Sequence, residues 1–320
     1  MKLAKILSIA FETDSNIDIK NMVQGNCQYM LTLLHQAAQM KTDFVVFPEI
    51  ALQSGMTTVE AIENAESISG TTIDLACKCA KEINIYIVWP MTERDGGYVY
   101  NTAVLIGRNG NIIGKYRKFR PTSYEMVDGI QPGNDVPVFD TDFGRVGMAI
   151  CFDIKFPEVG LALSRGKANL VFWPTMFEGG RRLEAWARDY GFAIVPCPGN
   201  VIVDSTGSIA NMRDISVQLQ QDKRLIQCAF AELNLDSKAY HLDNNQDKIP
   251  EMKNKYGANI EIKFCRPEGT FVLESNMPDK TVDDLEKEFE LLALRDYLDA
   301  AVADGYLRLK GITKNETARP

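Results

Sequence analysis

Histidine is nearly absent from this sequence, which has only two in 320 residues. His35 lies inside a helical pattern and His241 lies in a polar segment, so neither follows a predicted strand. Histidine is the usual base of Cys–His and Ser–His–Asp hydrolases and a common ligand of zinc and iron. The sequence therefore argues against both kinds of histidine-dependent site, and we expect no metal.

Long apolar runs are also missing. No stretch approaches the roughly 18 apolar residues of a membrane span. The apolar run before Glu12 and Asp14 is too short for the central region of a signal peptide. We therefore expect a cytoplasmic protein, in which the seven cysteines, an odd number without a framework-like spacing, remain thiols.

An excess of positive charge is lacking too. The chain has 35 Lys and Arg against 43 Asp and Glu, which gives a formal net charge of −8 at pH 7. An acidic surface repels phosphate backbones and anionic headgroups, so neither nucleic acid nor a membrane is an expected partner. No glycine-rich loop of the phosphate-binding types occurs, and no cofactor is expected.

Short continuous apolar segments are abundant, and they are rich in β-branched and aromatic residues. This pattern is typical of strands buried on both faces, and it occurs at 44–49, 85–90, 146–153, 169–175 and 192–197. Helical patterns occupy 19–38, 159–166 and 181–190, and Ser15 or Asn16 is placed to cap the first. The segments 98–106 and 111–117 predict a hairpin. Together these elements predict an α/β fold with mixed sheets and more than one layer.

The C-terminal third has a different character. The segment Asp236 to Lys263 is polar and poorly periodic, which is typical of an excursion over the surface. A last helix is predicted from Asp284 to Ala303, and the tail after Gly311 is polar and expected to fray. We interpret the chain as one domain followed by a C-terminal arm.

Three reactive side chains follow predicted strands. Glu49 ends the first of the five apolar segments, Lys118 follows the hairpin, and Cys151 stands before a sharp turn into a helix. Each has an ordinary structural explanation, because thiols after apolar strands are usually buried and lysines are usually solvated. Ligands in α/β sheets bind at the carboxyl ends of strands, where these three would meet. Their combination then provides a nucleophilic thiol, a carboxylate to take its proton, and an ammonium to stabilise developing charge.

The motifs around these residues resemble the nitrilase superfamily, the carbon–nitrogen hydrolases. They are FPE around Glu49, YRKFRP around Lys118 and ICFDIKFPE around Cys151. Further matching segments, including VYNTAVLIGRNGNIIGKYRK, PGNDVPVFDTDFGRVGMAICFD and AWARDYGFAIV, occur in the order that this family shows. The resemblance extends from Leu3 to about Leu298.

This resemblance implies a role for each residue. Glu49 is the expected general base, Lys118 the oxyanion stabiliser and Cys151 the nucleophile, and Glu125 is the candidate for the second glutamate that the family often has. The implied fold is a four-layer αββα sandwich that dimerises, with residues 1–275 as the hydrolase domain and 276–320 as a helical arm that contacts the partner. No cofactor or metal is implied.

The residues after Cys151 narrow the expected reaction. Nitrile-cleaving members generally continue with tryptophan and glutamate, whereas Phe152-Asp153 resembles the amidase and carbamoylase branches. The expected substrate is thus a small amide or N-carbamoyl compound. Lys155 or Arg181 could bind a substrate carboxylate, although a solvated cation is the simpler explanation of either.

Other parts of the site are weakly specified. The backbone N–H of Phe152 is an expected oxyanion donor, and Thr175 and Phe177 are candidate pocket walls. The loops 121–134 and 236–263 are expected to set specificity. Two alternatives stay open: a nitrilase that cleaves C≡N, and a non-catalytic binding or assembly protein on the same fold.

Overall fold

A computed structural model describes residues 1–14, 16–210, 212–213, 215–219, 222 and 224–309. The chain divides into two compact units. The first is Lys2–Asp236, and the second consists of Met1 and the segment that begins at Ser237.

The first unit contains a large mixed sheet. Its strands are β1 (Leu3–Phe11), β2 (Phe44–Val46), β3 (Tyr86–Asp95), β4 (Tyr98–Ile106), β5 (Ile112–Arg117), β10 (Met212–Arg213) and β11 (Ile226–Asn234). Their spatial order is β10-β11-β1-β2-β3-β4-β5. The β1–β2 and β2–β3 pairs are parallel and the other pairs are antiparallel. The predicted hairpin is β4–β5.

A smaller sheet and seven helices complete the described part of this unit. The strands are β6 (Val138–Thr141), β7 (Gly144–Met148), β8 (Leu170–Pro174) and β9 (Ala193–Cys197), in that spatial order. The helices are α1 (Ile19–Gln39), α2 (Thr58–Glu63), α3 (Thr71–Ile83), α4 (Ser123–Asp128), α5 (Pro157–Arg165), α6 (Arg181–Tyr190) and α7 (Ser216–Leu219). Asp18, rather than Asn16, caps α1, and Ser15 lies outside the described residues.

Three apolar cores show how the layers stack. In the large sheet, Leu7 and Val45 face a core shared with α1 and α3. Ile6 and Phe44, from the opposite face of the same strands, pack against residues of the smaller sheet. The far face of the smaller sheet packs against α5 and α6. The prediction of a four-layer αββα sandwich is therefore confirmed, and the two-sided burial explains why the strands are continuously apolar.

The second unit has a sheet of its own. Its strands are β12 (Ser237–His241), β13 (Ile260–Cys265) and β14 (Thr270–Ser275), with β14 in the centre of an antiparallel arrangement. Its helices are α8 (Ile249–Tyr256), α9 (Val282–Glu288) and α10 (Leu294–Leu309). Tyr240, Phe271, Leu273 and Leu285 lie in its core.

The C-terminal predictions differ from this arrangement. The segment 236–263 is not a surface excursion, because it contains β12, α8 and most of β13. The predicted helix 284–303 is two helices, since the chain leaves helical geometry after Glu288 to bury Phe289 and Leu291. The units divide at 236/237, whereas the sequence prediction put the boundary at 275/276, at the end of β14. Among the described helices, none combines the length and apolar character needed to cross a membrane.

Candidate active site

Glu49, Lys118 and Cys151 line one cavity in the first unit. Glu49 lies three residues beyond β2, Lys118 follows β5 directly, and Cys151 lies three residues beyond β7. The cavity has a volume of about 260 Å³. Only 1% of Lys118, 4% of Glu49 and 9% of Cys151 is exposed. The residues that the sequence places at strand ends are therefore buried neighbours in one cavity.

The Lys118 ammonium lies between two carboxylates. Its Nζ is 2.7 Å from Glu49 Oε1, and it is 3.0 and 2.8 Å from the two carboxylate oxygens of Glu125. These charges raise the pKa of Lys118 although burial acts in the opposite direction. Lys118 is thus held as a cation. The lysine in turn holds the pKa of Glu125 below its usual value despite burial.

Glu125 is positioned by the start of a helix. The Thr122 side chain accepts the Glu125 N–H, and Glu125 Oε2 accepts the Thr122 N–H at 2.7 Å, which forms a capping box on α4. The cap turns the carboxylate toward Lys118. The sequence signal for this position is the Thr-x-x-Glu pattern of residues 122–125.

Asn101 belongs to the same network and was not predicted from the sequence. Its Nδ2 donates to Glu49 Oε1 at 2.8 Å and to Glu125 Oε1 at 3.0 Å. Its backbone carbonyl accepts the Lys118 N–H at 2.8 Å. Asn101 lies within β4, so no strand end marked it. The available signal was an amide residue in the middle of a buried strand, where asparagine is disfavoured.

Cys151 lies on a strained turn. Its φ of 47° is in the left-handed region, which residues other than glycine seldom occupy. Trp173 Nε1 donates to the Cys151 carbonyl at 3.0 Å, and Asp153 Oδ2 accepts the Ile150 N–H at 2.9 Å. These bonds on both sides of the cysteine fix the direction of its side chain.

The thiol is protonated at neutral pH. Burial raises the pKa of Cys151 to about 12, and the neighbouring Glu49 charge adds to this increase. Lys118 and the backbone N–H of Met176 lower the pKa of the thiol, but by less. Glu49 Oε2 is buried and has no hydrogen-bond partner among the described residues. An acceptor is therefore available beside a thiol that must lose its proton before it attacks.

The predicted pocket walls lie elsewhere. The described lining of the cavity does not include Phe152, Thr175 or Phe177. The Thr175 hydroxyl is used within its own turn, where it donates to the Phe177 carbonyl at 3.1 Å, and the Phe177 ring packs on Trp173 with centroids 5.1 Å apart. Met176, between them in sequence, reaches the cavity instead. The full described lining is Glu49, Ile50, Thr58, Ala61, Thr92, Asn101, Lys118, Thr122, Glu125, Ile130, Cys151 and Met176.

The described residues contain no group of three or more His, Cys, Asp or Glu side chains arranged to hold a metal ion. No disulfide joins any of the seven cysteines, all of which lie within the described residues.

Comparison with known proteins identifies the class. Residues 15–193 match the carbon–nitrogen hydrolase family, which is more than half of the chain. The chain therefore belongs to the carbon–nitrogen hydrolase family, as its motifs predict.

Two curated relatives are similar over about half of the chain. An omega-amidase of Xenopus laevis is 31% identical over 154 residues, which are 45% of this chain and 55% of that protein. A bifunctional nitrilase/nitrile hydratase of Lupinus angustifolius is 30% identical over 162 residues, 45% of this chain and 46% of that protein. The match thus spans about half the length of each relative.

A solved structure is similar in fold. It is a variant of the amidase from Nesterenkonia sp. AN1 in which the acetamide moiety of fluoroacetamide is covalently added at the active-site cysteine. It covers 79% of this chain and 96% of its own, with a TM-score of 0.59 and 18% identity.

Proposed function

We propose that this protein hydrolyses a non-peptide C–N bond, in an amide or N-carbamoyl group of a small molecule, through a thioester on Cys151. The observation that supports this most directly is the convergence of a thiol, an unpartnered carboxylate oxygen and a buried ammonium in one small cavity. Neighbours with these three functions are what acyl transfer from an amide requires.

The first half of the reaction forms the thioester. Glu49 takes the proton of the Cys151 thiol as Sγ attacks the carbonyl carbon. Burial raises the pKa of the thiol, so its proton must pass to Glu49 for the attack to proceed. Lys118 Nζ binds the tetrahedral oxyanion. Glu49 then gives the proton to the leaving nitrogen, the C–N bond breaks, and ammonia or an amine departs.

The second half releases the acid. A water molecule attacks the thioester carbonyl while Glu49 accepts its proton, and Lys118 again stabilises the oxyanion. The C–S bond breaks, the proton returns to sulfur, and the carboxylic acid leaves. Glu125 continues to accept hydrogen bonds from Lys118 in both halves of the reaction. It thereby holds the ammonium in position.

Cleavage of a nitrile is the second candidate, because the Lupinus relative carries that activity in its name. We prefer the amide because Phe152-Asp153 follows Cys151 in this chain, as in the amidase-like branch. Assay of butyronitrile beside butyramide separates the two, since a higher kcat/KM for the nitrile would contradict our choice.

Replacement of the nucleophile and of the oxyanion donor tests the proposal. We expect Cys151→Ala to abolish ammonia release from short amides such as propionamide and butyramide. Lys118→Ala should lower kcat/KM by about 100- to 1,000-fold, the usual effect of losing one oxyanion donor. Rapid-quench mass spectrometry of the wild type should show an acyl group on the chain.

The matched control is Cys77→Ala, which removes a partly buried cysteine of α3 outside the cavity. We expect it to retain full activity. Ammonia release by Cys151→Ala at the wild-type rate would refute the mechanism, and an inactive wild type across amides, N-carbamoyl compounds and nitriles would favour a binding protein.

A further inference from the structure

The charged groups of the cavity form ion pairs with one another. Besides the thiol, the ionisable side chains in its described lining are Glu49, Glu125 and Lys118. With both carboxylates ionised their formal sum is −1. Lys118 Nζ lies 2.7 to 3.0 Å from three carboxylate oxygens of Glu49 and Glu125. The described lining of the space that receives a substrate is therefore net negative. Lys118, the one cation in that lining, already pairs with Glu49 and Glu125.

The rest of the described lining carries no charge. It consists of Ile50, Thr58, Ala61, Thr92, Asn101, Thr122, Ile130 and Met176. The cations proposed from the sequence as carboxylate ligands are not part of it. Lys155 Nζ lies 5.3 Å from the centroid of the Phe177 ring, and Arg181 begins α6 as an exposed residue. The described lining thus offers a substrate carboxylate no unpaired cation.

The size of the cavity adds a second constraint. Its volume of about 260 Å³ is below the range of roughly 300 to 1,000 Å³ that is usual for sites of drug-sized ligands. Apart from the charged network, apolar side chains and threonine hydroxyls surround it. Such a space suits a short acyl chain better than an extended polar one.

From this charge balance and size we infer that the substrate is an uncharged amide with a short acyl chain, and that the site discriminates against amides that carry a carboxylate. The inference rests on the proposed function. An anionic substrate would be transferred from water into a cavity of the same sign without a new ion pair. A neutral substrate avoids that repulsion.

Succinamide and succinamate test the inference with one change of charge. They have the same length and the same scissile amide, but the far group is a neutral amide in one and a carboxylate in the other. At pH 7.5 we expect kcat/KM for succinamide to exceed that for succinamate on the order of 100-fold, as unit charges a few ångströms apart at an intermediate dielectric imply. Ammonia release measures both.

A second readout does not depend on turnover. Iodoacetamide and iodoacetate alkylate the same Cys151 sulfur with loss of iodide, and they differ in the same charge. We expect iodoacetamide to react on the order of 100-fold faster at Cys151 after division by the same ratio for free cysteine. Mass spectrometry of the peptide that contains Cys151 gives both rates, and Cys77 in the same sample is the internal control.

A variant should reverse the preference. Thr58→Lys adds a cation to the lining and is expected to bring the succinamide-to-succinamate ratio toward unity. Thr58→Gln adds a long side chain without the charge and should keep the wild-type ratio. The pair separates the effect of charge from the effect of size.

The outcomes distinguish this inference from the proposed function. Equal or faster hydrolysis of succinamate, or equal alkylation by iodoacetate, overturns the inference while amide hydrolysis stands. If no amide is hydrolysed above the level of Cys151→Ala, the proposed function fails, and the alkylation ratio still decides whether the cavity excludes anions.

Discussion

A lysine ammonium, two carboxylates and an asparagine amide share one largely buried space. Moving single charges into such a space costs several kcal/mol each unless every charge is paired. Here Lys118 has three acceptors, and Asn101 Nδ2 donates to the same Oε1 atoms of Glu49 and Glu125 that accept from the lysine. The Asn101 amide is therefore a second hydrogen-bond donor to the two carboxylates, in addition to the Lys118 ammonium. Asn101 acts as a positioning residue for both glutamates.

Removal of this amide should change the pH dependence of catalysis. In Asn101→Ala, Glu125 loses a hydrogen bond that helps to hold its pKa below the usual value, so we expect that pKa to rise. A protonated Glu125 no longer pairs with Lys118 as an anion, so we expect the acid limb of kcat/KM to move to higher pH. Activity should therefore fall more at pH 5.5 than at pH 8. A kcat/KM profile from pH 5 to 9 checks this.

The control for Asn101→Ala is the next residue on the same strand. Thr102 Oγ1 donates to Glu93 Oε2 at 2.8 Å, and Glu93 is a buried glutamate outside the cavity. Thr102→Val should leave the acid limb in place. An unchanged limb in Asn101→Ala, with only a uniform loss of rate, would mean that Asn101 has no electrostatic role.

At the scale of single residues, the sequence predicted the three groups that follow strands and Glu125 beyond the lysine motif. It did not predict Asn101 or Met176. A residue at a strand end is marked by the change from apolar to polar sequence, whereas Asn101 lies inside β4 and Met176 lies between two candidates that point elsewhere. Their contribution depends on which atoms of distant strands meet, and this becomes visible only after folding.

Among the structural elements, the turn after β7 holds the reactive group in a conformation that costs free energy. A non-glycine residue at positive φ typically costs about 1 to 3 kcal/mol. Asp153, which is itself part of this turn, stabilises it through hydrogen bonds. Its carboxylate accepts the Ile150 N–H, the Arg120 N–H and the Tyr116 hydroxyl, at 2.7 to 2.9 Å. Asp153 therefore ties the turn of Cys151 to the chain just beyond Lys118.

The same carboxyl should make stability depend on pH. Complete burial raises the pKa of Asp153 from 3.8 to about 6, although its three hydrogen bonds act in the opposite direction. Between about pH 4 and pH 6 the folded protein holds this proton more tightly than the unfolded chain does. This contribution to stability is therefore fully present below the unfolded pKa and is lost as pH rises through 6. At about 1.4 kcal/mol per pKa unit, the total is about 3 kcal/mol.

We expect Asp153→Asn to remove that dependence. The free energy of unfolding of the wild type, relative to the variant, should fall between pH 4 and pH 7, and urea titrations at each pH measure it. Asp128→Asn, which changes an exposed charge on α4, is the control. A difference between wild type and Asp153→Asn that is constant across this range would contradict the raised pKa.

The elements that the sequence predicted well are those buried on both faces. Continuous apolar runs identified β2, β3, β7, β8 and β9, although some of their ends differ by up to five residues. The strands β12 and β13 were missed because they are only five and six residues long and a polar helix lies between them. The break between α9 and α10 was missed because Leu285, Phe289 and Leu292 recur at the spacing of a single helix.

For the whole molecule, the fold of the first unit could be predicted because its motifs resemble a known family. The second unit was not predicted as a separate unit, although the resemblance extends to about Leu298, because the motifs around Glu49, Lys118 and Cys151 all lie in the first unit. The core of the second unit is formed by residues such as Tyr240, Phe271 and Leu285, which lie far apart in sequence and each within a mostly polar segment. Composition alone cannot show that such residues meet.

The predicted homo-oligomer remains to be tested, and α10 offers the sharpest test. Val302, Tyr306 and Leu309 recur at helical spacing and are 67%, 58% and 88% exposed, so they form one exposed apolar stripe. We expect self-association through this stripe, with a molar mass in sedimentation that rises with protein concentration. Val302→Glu places a charge in the stripe and should shift the equilibrium to the monomer. Ala300→Glu places the same charge on the opposite side of the helix and should leave the equilibrium unchanged. A wild type that stays monomeric at all concentrations, or equal effects of the two variants, would show that this helix is not the contact.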